Sequence, residues 1–258
     1  MKYFIVADIH GFYNELKKAL ETAGFDANNP EHTFVSLGDV LDRGKQPREM
    51  LEFIMSLPED RRILIRGNHE DLMEEALSRW YFLDHDIHNG TRDTVFALAG
   101  KLNEFDAFDA LRQDPLYKSY IASCIDYYET EHAIFVHGWI PHNSYCKGFS
   151  YDYIRHDYVE NWREADKEQW KQARWFNGMD SWADGVREPG KTIFCGHWHT
   201  AWGRAYIDRA CSPRTINPED FLPWVKKGIV ALDACTALTG FINCYVLTEV
   251  NQGGHDES

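Results

Sequence analysis

Short apolar runs alternate with helical periodicities along this chain, and each run stops at a cluster of small and polar residues. Tyr3-Phe4-Ile5-Val6-Ala7 ends in Asp8-Ile9-His10-Gly11, then Leu16, Ala19, Leu20 and Ala23 recur at helical spacing up to a stop at Gly24. Thr33-Phe34-Val35-Ser36-Leu37 ends in Gly38-Asp39-Val40-Leu41-Asp42-Arg43-Gly44, and a helical pattern opens at Pro47. Arg62-Ile63-Leu64-Ile65 ends in Arg66-Gly67-Asn68-His69-Glu70-Asp71 and leads into a helix whose acidic start suits the helix dipole. An apolar run, a Gly-bounded turn and a helix make a βα unit, with its loop at the carboxyl end of the strand. Open α/β sheets bind their ligands at that edge.

Residues 72–130 read as a mainly helical insert with a break at His88-Asn89-Gly90-Thr91-Arg92. Met73, Ala76, Leu77 and Trp80, then Phe96, Leu98, Leu102 and Phe105, recur as core faces. Ala133-Ile134-Phe135-Val136 is a further strand ending in His137-Gly138. An aromatic-rich insert, 141–190, follows, and its segment Glu164 to Phe176 has the pattern of an amphipathic helix. Thr192-Ile193-Phe194-Cys195 leads into Gly196-His197-Trp198-His199. Gly228 to Leu232, ending in Asp233, and Phe241 to Val250 alternate like a strand pair joined through Thr239-Gly240. With no repeat, linker or low-complexity tract, residues 1–250 are expected to form one domain, with 251–258 as a flexible polar tail.

Composition narrows the function classes. The 258 residues are 44% hydrophobic and 26% charged, which is ordinary for a globular protein. The formal charge of −14 argues against a nucleic-acid-binding or lipid-binding basic surface. No apolar run approaches the roughly 18 residues of a membrane span and no apolar leader precedes Tyr3, so the expected location is cytoplasmic. The six cysteines, Cys124, Cys146, Cys195, Cys211, Cys235 and Cys244, form no C-x-x-C pair and read as reduced thiols.

Chemistry enters at five strand ends: Asp8/His10, Asp39/Asp42/Arg43, Asn68/His69, His137 and His197/His199. Asp8 and His10 are two apart, so in extended chain they point the same way. Any one cluster has a bland explanation as a capped turn or local ion pair; five in succession do not. Carboxylate, imidazole and amide oxygen without thiolate suit Mn, Fe, Zn or Ni. These are too many ligands for one ion, whereas two ions roughly 3.5–4 Å apart, bridged by a carboxylate, would use them all, as in many phosphate-hydrolysing sites.

The series D-I-H-G, G-D-V-L-D-R-G, G-N-H-E, H-G and G-H-W-H resembles the calcineurin-like metallophosphoesterases. More narrowly, it is similar to their phosphoprotein phosphatase branch, which includes bacterial serine/threonine phosphatases and symmetrical diadenosine tetraphosphatases. The motifs span residues 8 to 199, and the segment from Leu232-Asp233 to Thr239-Gly240 resembles that branch's last hairpin. The resemblance implies a four-layer α/β/β/α sandwich of mixed sheets. It implies that Asp8 and His10 hold one divalent ion, that Asp39 bridges, and that Asn68, His137 and His197 hold the second. Manganese is the first expectation, with iron or zinc as alternatives. His199 matches a ligand of the wider superfamily and is placed as a ligand ahead of a substrate contact or a partly buried histidine.

The resemblance also implies in-line attack on phosphorus by a hydroxide bridging the ions. Arg43 would clamp phosphate, His69 would act as general acid and Asp42 would orient it. The chain departs from the branch at Trp139, where a second glycine is common, and at Asn177, where a phosphate-binding arginine is common; Arg174 is the candidate substitute. The expected substrate is a phosphate monoester, on protein or on a small metabolite. A dinucleoside polyphosphate is the alternative, with Trp162, Trp170, Trp175 and Trp182 available to stack bases. A non-catalytic metal-binding scaffold ranks last.

Overall fold

The computed structural model describes residues 1–101, 103–146, 154–212 and 217–249. The expected tail 251–258 and Leu102 lie outside the described residues. In chain order the strands and helices are β1 (Lys2–Val6), α1 (Tyr13–Ala23), β2 (His32–Ser36), α2 (Pro47–Ser56), β3 (Arg62–Ile65) and α3 (Asn68–Arg79). The helical stretch continues with α4 (Asp84–His88), α5 (Thr91–Ala99), α6 (Glu104–Gln113) and α7 (Pro115–Ser123). Then come β4 (Cys124–Ile125), β5 (Tyr128–Glu129), β6 (Ala133–Phe135), β7 (Asn143–Cys146) and β8 (Ile154–Asp157). The remainder is α8 (Lys167–Ala173), α9 (Gly178–Ala183), β9 (Thr192–Cys195), β10 (Trp224–Lys226), β11 (Ile229–Ala231), α10 (Thr236–Thr239) and β12 (Tyr245–Thr248).

Two five-stranded mixed sheets form the body, ordered β12-β1-β2-β3-β4 and β10-β11-β9-β6-β5. In the first, β1, β2, β3 and β4 run parallel and β12 joins antiparallel to β1. In the second, β11, β9 and β6 run parallel, flanked by antiparallel β10 and β5. Strand alternation builds the layers. Tyr3, Ile5 and Ala7 face one way, meeting Val35, Leu37 and Ile65 of their own sheet and Phe135, Phe194, Val230 and Leu232 of the other. Phe4 and Val6 face the other way, into a core with Leu16, Leu20, Met50, Leu51 and Ile54 from α1 and α2. On the far side of the second sheet, Ile134, Ile193, Cys195 and Ala231 meet Trp139, Trp162, Trp170 and Met179. The result is the four-layer α/β/β/α sandwich.

Three local expectations need correction. The segments around 229–231 and 245–248 are not a hairpin: β11 lies in the second sheet and β12 crosses to the first. The crossing is set by left-handed residues at Cys235 and Gly240 and by Asn243, whose amide donates to the Phe221 and Leu232 carbonyls. The helix expected from Glu164 to Phe176 is a 3-10 turn and then α8, because Asp166 caps the backbone N–H of Gln169 and restarts the helix there. Phe105 is 70% exposed, since Asn103 caps α6 and resets the helical frame so that Ala107, Phe108 and Leu111 point inward. The five cysteines with described side chains are free thiols.

Candidate metal centre and active site

Six parallel strands of the two sheets deliver a polar residue just beyond their carboxyl ends. Asp8, Asp39 and Asn68 follow β1, β2 and β3; His137, His197 and Asp233 follow β6, β9 and β11. The loops cross closely. The backbone N–H groups of His10 and Gly11 donate to the Asp39 and Val40 carbonyls. At Gly38 (φ +96) a Cβ would sit 2.7 Å from the Gly67 backbone, so only glycine lets the second and third loops meet. Asp8, His10, Asp39, Asp42, Arg43, His197 and Cys235 all have positive φ, against only Trp80 and Arg209 elsewhere among the described non-glycine residues. Left-handed backbone, not extended alternation, therefore aims Asp8 and His10, which corrects the expectation from their spacing. Such strain is typical of functional sites.

The Asp39 carboxylate is the hub. Its Oδ2 lies 3.8 Å from the Nε2 of both His10 and His69, and its Oδ1 lies 3.4 Å from His137 Nε2. Two groups of candidate ligand atoms thus share it: His10, Asp39 and His69, and Asp39, His137 and His197. The ring orientations fit metal binding. His10 Nδ1 is tied to the Leu41 carbonyl at 3.0 Å and His137 Nδ1 to that of Leu37 at 2.7 Å, which turns both Nε2 atoms to the centre. Asn68 Oδ1 meets His137 Nε2 at 2.8 Å. Asp8 is buried and its carboxylate accepts the His197 backbone N–H at 2.9 Å.

His69 donates from Nδ1 to Asp42 Oδ2 at 2.7 Å, and Thr91 Oγ1 donates to the same oxygen at 2.7 Å. The exposed Arg43 reaches inward, with one terminal nitrogen 3.1 Å from His10 Nε2 and the other 3.1 Å from His69 Nε2. Burial pushes the His10 pKa well below its usual value and that of His197 down to about 3, with neighbouring histidines adding to both, so both rings are neutral and able to ligate. Burial alone would raise the Asp39 pKa, but His137, His69 and His10 outweigh it and hold it low. Burial opposes the charged form of His69, yet Asp39 and Asp42 prevail and raise its pKa. Burial, Asp233 and Asp39 raise the pKa of Asp8 well above normal. A cluster that crowds buried carboxylates in this way suits cationic occupants.

Two residues singled out from the sequence sit differently. Arg174 is buried, and its terminal nitrogens are taken by Asp71 Oδ2 at 2.8 Å and by Asp126. Among the described residues His199 belongs to neither ligand group and its buried Nδ1 has no hydrogen-bond partner; its ring packs on Phe221 at 5.5 Å. Of the four tryptophans considered for base stacking, Trp162 and Trp170 are core, Trp182 packs on Trp224 and Trp175 is 48% exposed.

Sequence reasoning missed Glu70, Thr91, Tyr120 and Asp233. The buried Glu70 carboxylate accepts the N–H groups of Asp39 (3.0 Å), Val40 (3.0 Å) and Gly67 (2.8 Å) and the Tyr120 hydroxyl (2.8 Å). Its dipole-friendly place at a helix start masked that role. Asp233 carried the same strand-end signal as the other loops; its pKa is raised to about 6 by burial and by Asp39.

Comparisons with known proteins agree with this geometry. Residues 1–201 match the family model described as calcineurin-like phosphoesterase. The chain is 28% identical over 138 residues to "Bis(5'-nucleosyl)-tetraphosphatase, symmetrical" of Coxiella burnetii (strain RSA 331 / Henzerling II), covering 54% of this chain and 42% of that protein. It is 37% identical over 70 residues to a protein of the same name from Buchnera aphidicola subsp. Baizongia pistaciae, covering 27% and 24%. The matches therefore span less than half the length of these curated relatives. Among solved structures, a putative diadenosine tetraphosphatase superposes with TM-score 0.52 at 15% identity, covering 96% of this chain and 95% of that one. The cold-active protein-tyrosine phosphatase of a psychrophile Shewanella sp. superposes with TM-score 0.56 at 14% identity, covering 96% and 75%; at such identities both speak for the fold. Fold, site and the match over 1–201 together place the chain in the calcineurin-like phosphoesterase family, the metal-dependent hydrolases of phosphoric esters.

Proposed function

We propose that this protein hydrolyses phosphoric esters at two divalent ions, manganese first, held by Asp8, His10, Asp39, Asn68, His137 and His197. The observation that carries the reading is Asp39, which turns one oxygen to His10 and His69 and the other to His137. When bound, such ions polarise phosphoryl oxygens and acidify water. The remaining work belongs to the chain. Backbone carbonyls hold His10 and His137 with Nε2 inward. Arg43 offers a planar two-nitrogen fork to phosphate oxygens. His69, oriented by Asp42 and kept cationic by its carboxylate neighbours, hands its Nε2 proton to the departing oxygen. His199 stays a candidate ligand, and Arg174 a candidate phosphate contact only if it leaves Asp71 and Asp126.

This phosphoryl end serves a monoester or a polyphosphate equally. The names of the Coxiella and Buchnera relatives support a dinucleoside tetraphosphate as substrate; a phosphoprotein or a small phosphate monoester is the other reading. The test is turnover of diadenosine tetraphosphate, a phosphoserine peptide and p-nitrophenyl phosphate by manganese-loaded protein. His69→Asn should retain both ions by metal analysis and lose about 10²–10⁴-fold in kcat. Unchanged turnover in that variant would remove His69 from the mechanism.

A further inference from the structure

Beside the metal cluster lies a cavity of about 370 Å³, within the roughly 300–1,000 Å³ range of small-molecule sites. One wall is α3, through Asp71, Leu72 and Glu75; another is α4 and the turn after it, through His85 and Asn89; Lys171 of α8 and Trp175 just beyond it close the third side. Each wall abuts the candidate active site. Leu72 is three residues from His69. Asn89 precedes Gly90, where a Cβ would lie 2.6 Å from the Arg43 backbone nitrogen. Trp175 stands edge-on to His197, ring centroids 5.6 Å apart at 85°.

The lining is chemically selective. Trp175 is 48% exposed, so its ring offers a stacking surface at the mouth of the site. Its neighbours' charges are already spent: Asp71 is paired with Arg66 at 2.7 Å and Arg174 at 2.8 Å, and Glu75 with Lys171 at 2.6 Å. Lys171, the lysine that lines the cavity, is engaged by Glu75. Asn89 lines the cavity, and its side-chain amide, a source of donors and an acceptor, makes no hydrogen bond within the described residues. A flat ring that also wants a paired donor and acceptor is a nucleobase; an amide reads the edge of adenine in this way. A phenyl ring, as in an aryl phosphate, would leave the amide unused.

We propose that this cavity is the leaving-group subsite and takes the base of a nucleotide, stacked on Trp175 and read by Asn89. The proposal rests on the phosphoesterase reading above and names the substrate class of that site. With manganese-loaded full-length protein, kcat/KM is measured for diadenosine tetraphosphate, glycerol 2-phosphate and a phosphotyrosine peptide. Trp175→Ala should lower the ratio of the nucleotide value to the glycerol 2-phosphate value by roughly 5- to 100-fold, the span of base–aromatic stacking. Trp175→Phe, which keeps a π face, should restore most of it, and Asn89→Ala should lower the same ratio. An equal fall with all substrates would overturn the proposal, since Trp175 would then only support His197. A loss confined to the phosphotyrosine peptide would overturn it as well. Calorimetric titration with AMP is independent of turnover. If the wild type hydrolyses nothing, the functional reading falls, and weaker AMP binding by Trp175→Ala alone upholds the subsite; AMP binding indifferent to Trp175 overturns it.

Discussion

At the scale of single residues, the centre depends on a carboxylate that touches no ligand atom. Glu70 accepts the backbone N–H groups of Asp39, the candidate bridge, and of Val40 on one side of the loop crossing, that of Gly67 on the other, and the Tyr120 hydroxyl. Replacing it by glutamine turns an amide donor toward donors. Glu70→Gln should therefore cost about 1–3 kcal/mol of stability, by thermal melting, for a buried unmatched polar contact. Manganese titration should show a loss of roughly 10–100-fold in affinity, the usual cost of disturbing the supports of a metal ligand. Unaltered affinity would make Glu70 a helix-start residue and nothing more. That was its reading in the sequence, because glutamate in a first helical turn has a sufficient local cause. Its four partners come from residues 39, 40, 67 and 120 and are joined only by folding. Asp39, His137 and His10 were legible for the opposite reason: polar clusters recur at five strand ends, and no single local rule covers all of them.

At the scale of elements, strands were easier to place than helices. Arg62–Ile65 and Thr192–Cys195 have the bounds expected, since apolar runs ended by Gly-rich turns leave little choice. Helices in the two inserts moved because caps such as Asn103 and Asp166 reset their frames. Elements far apart in sequence are pinned by charge. Glu129 on β5 accepts Arg163 at 2.8 Å and 2.6 Å, while Lys191, just before β9, lies 2.9 Å away. Hydrogen bonds from Arg163, helped by Lys191 and opposed by burial, bring its pKa down from 4.5 to about 2. A depressed carboxylate stabilises the fold above its ordinary pKa, and that contribution is lost as the pH falls from about 4.5 toward about 2. Glu129→Gln should melt below the wild type at pH 7, and the gap should narrow steadily from about pH 4.5 and close only near pH 2. A gap that stays constant from pH 7 down to about pH 2 would assign the stabilisation to packing instead of charge.

At the scale of the whole molecule, the centre is a seam. One sheet supplies Asp8, Asp39 and Asn68, the other His137, His197 and Asp233, and the two meet over a shared apolar layer. An ion bound to both sides ties the halves of the sandwich together and stabilises only the folded state. Manganese at about 100 times its dissociation constant should add roughly 2.7 kcal/mol, which for a chain of this size raises Tm by roughly 5–10 °C. EDTA should reverse the shift and Asp39→Asn should abolish it. A manganese-dependent shift retained in Asp39→Asn would place the ion elsewhere. Among the described residues no helix is long and apolar enough to cross a membrane.

The sequence by itself determined the strand ends and the candidate ligands placed at them, because both are written locally: an apolar run sets a strand, and polar clusters that recur at successive strand ends mark the candidate site. The tertiary structure decided the rest. It chose the sheet that β12 joins, the left-handed backbone that aims Asp8 and His10, the burial that neutralises His10 and His197, and the pairing that occupies Arg174. It also left Trp175 open beside His197. Each of these depends on which distant loops pack together, and no local pattern of hydrophobic and polar residues encodes that.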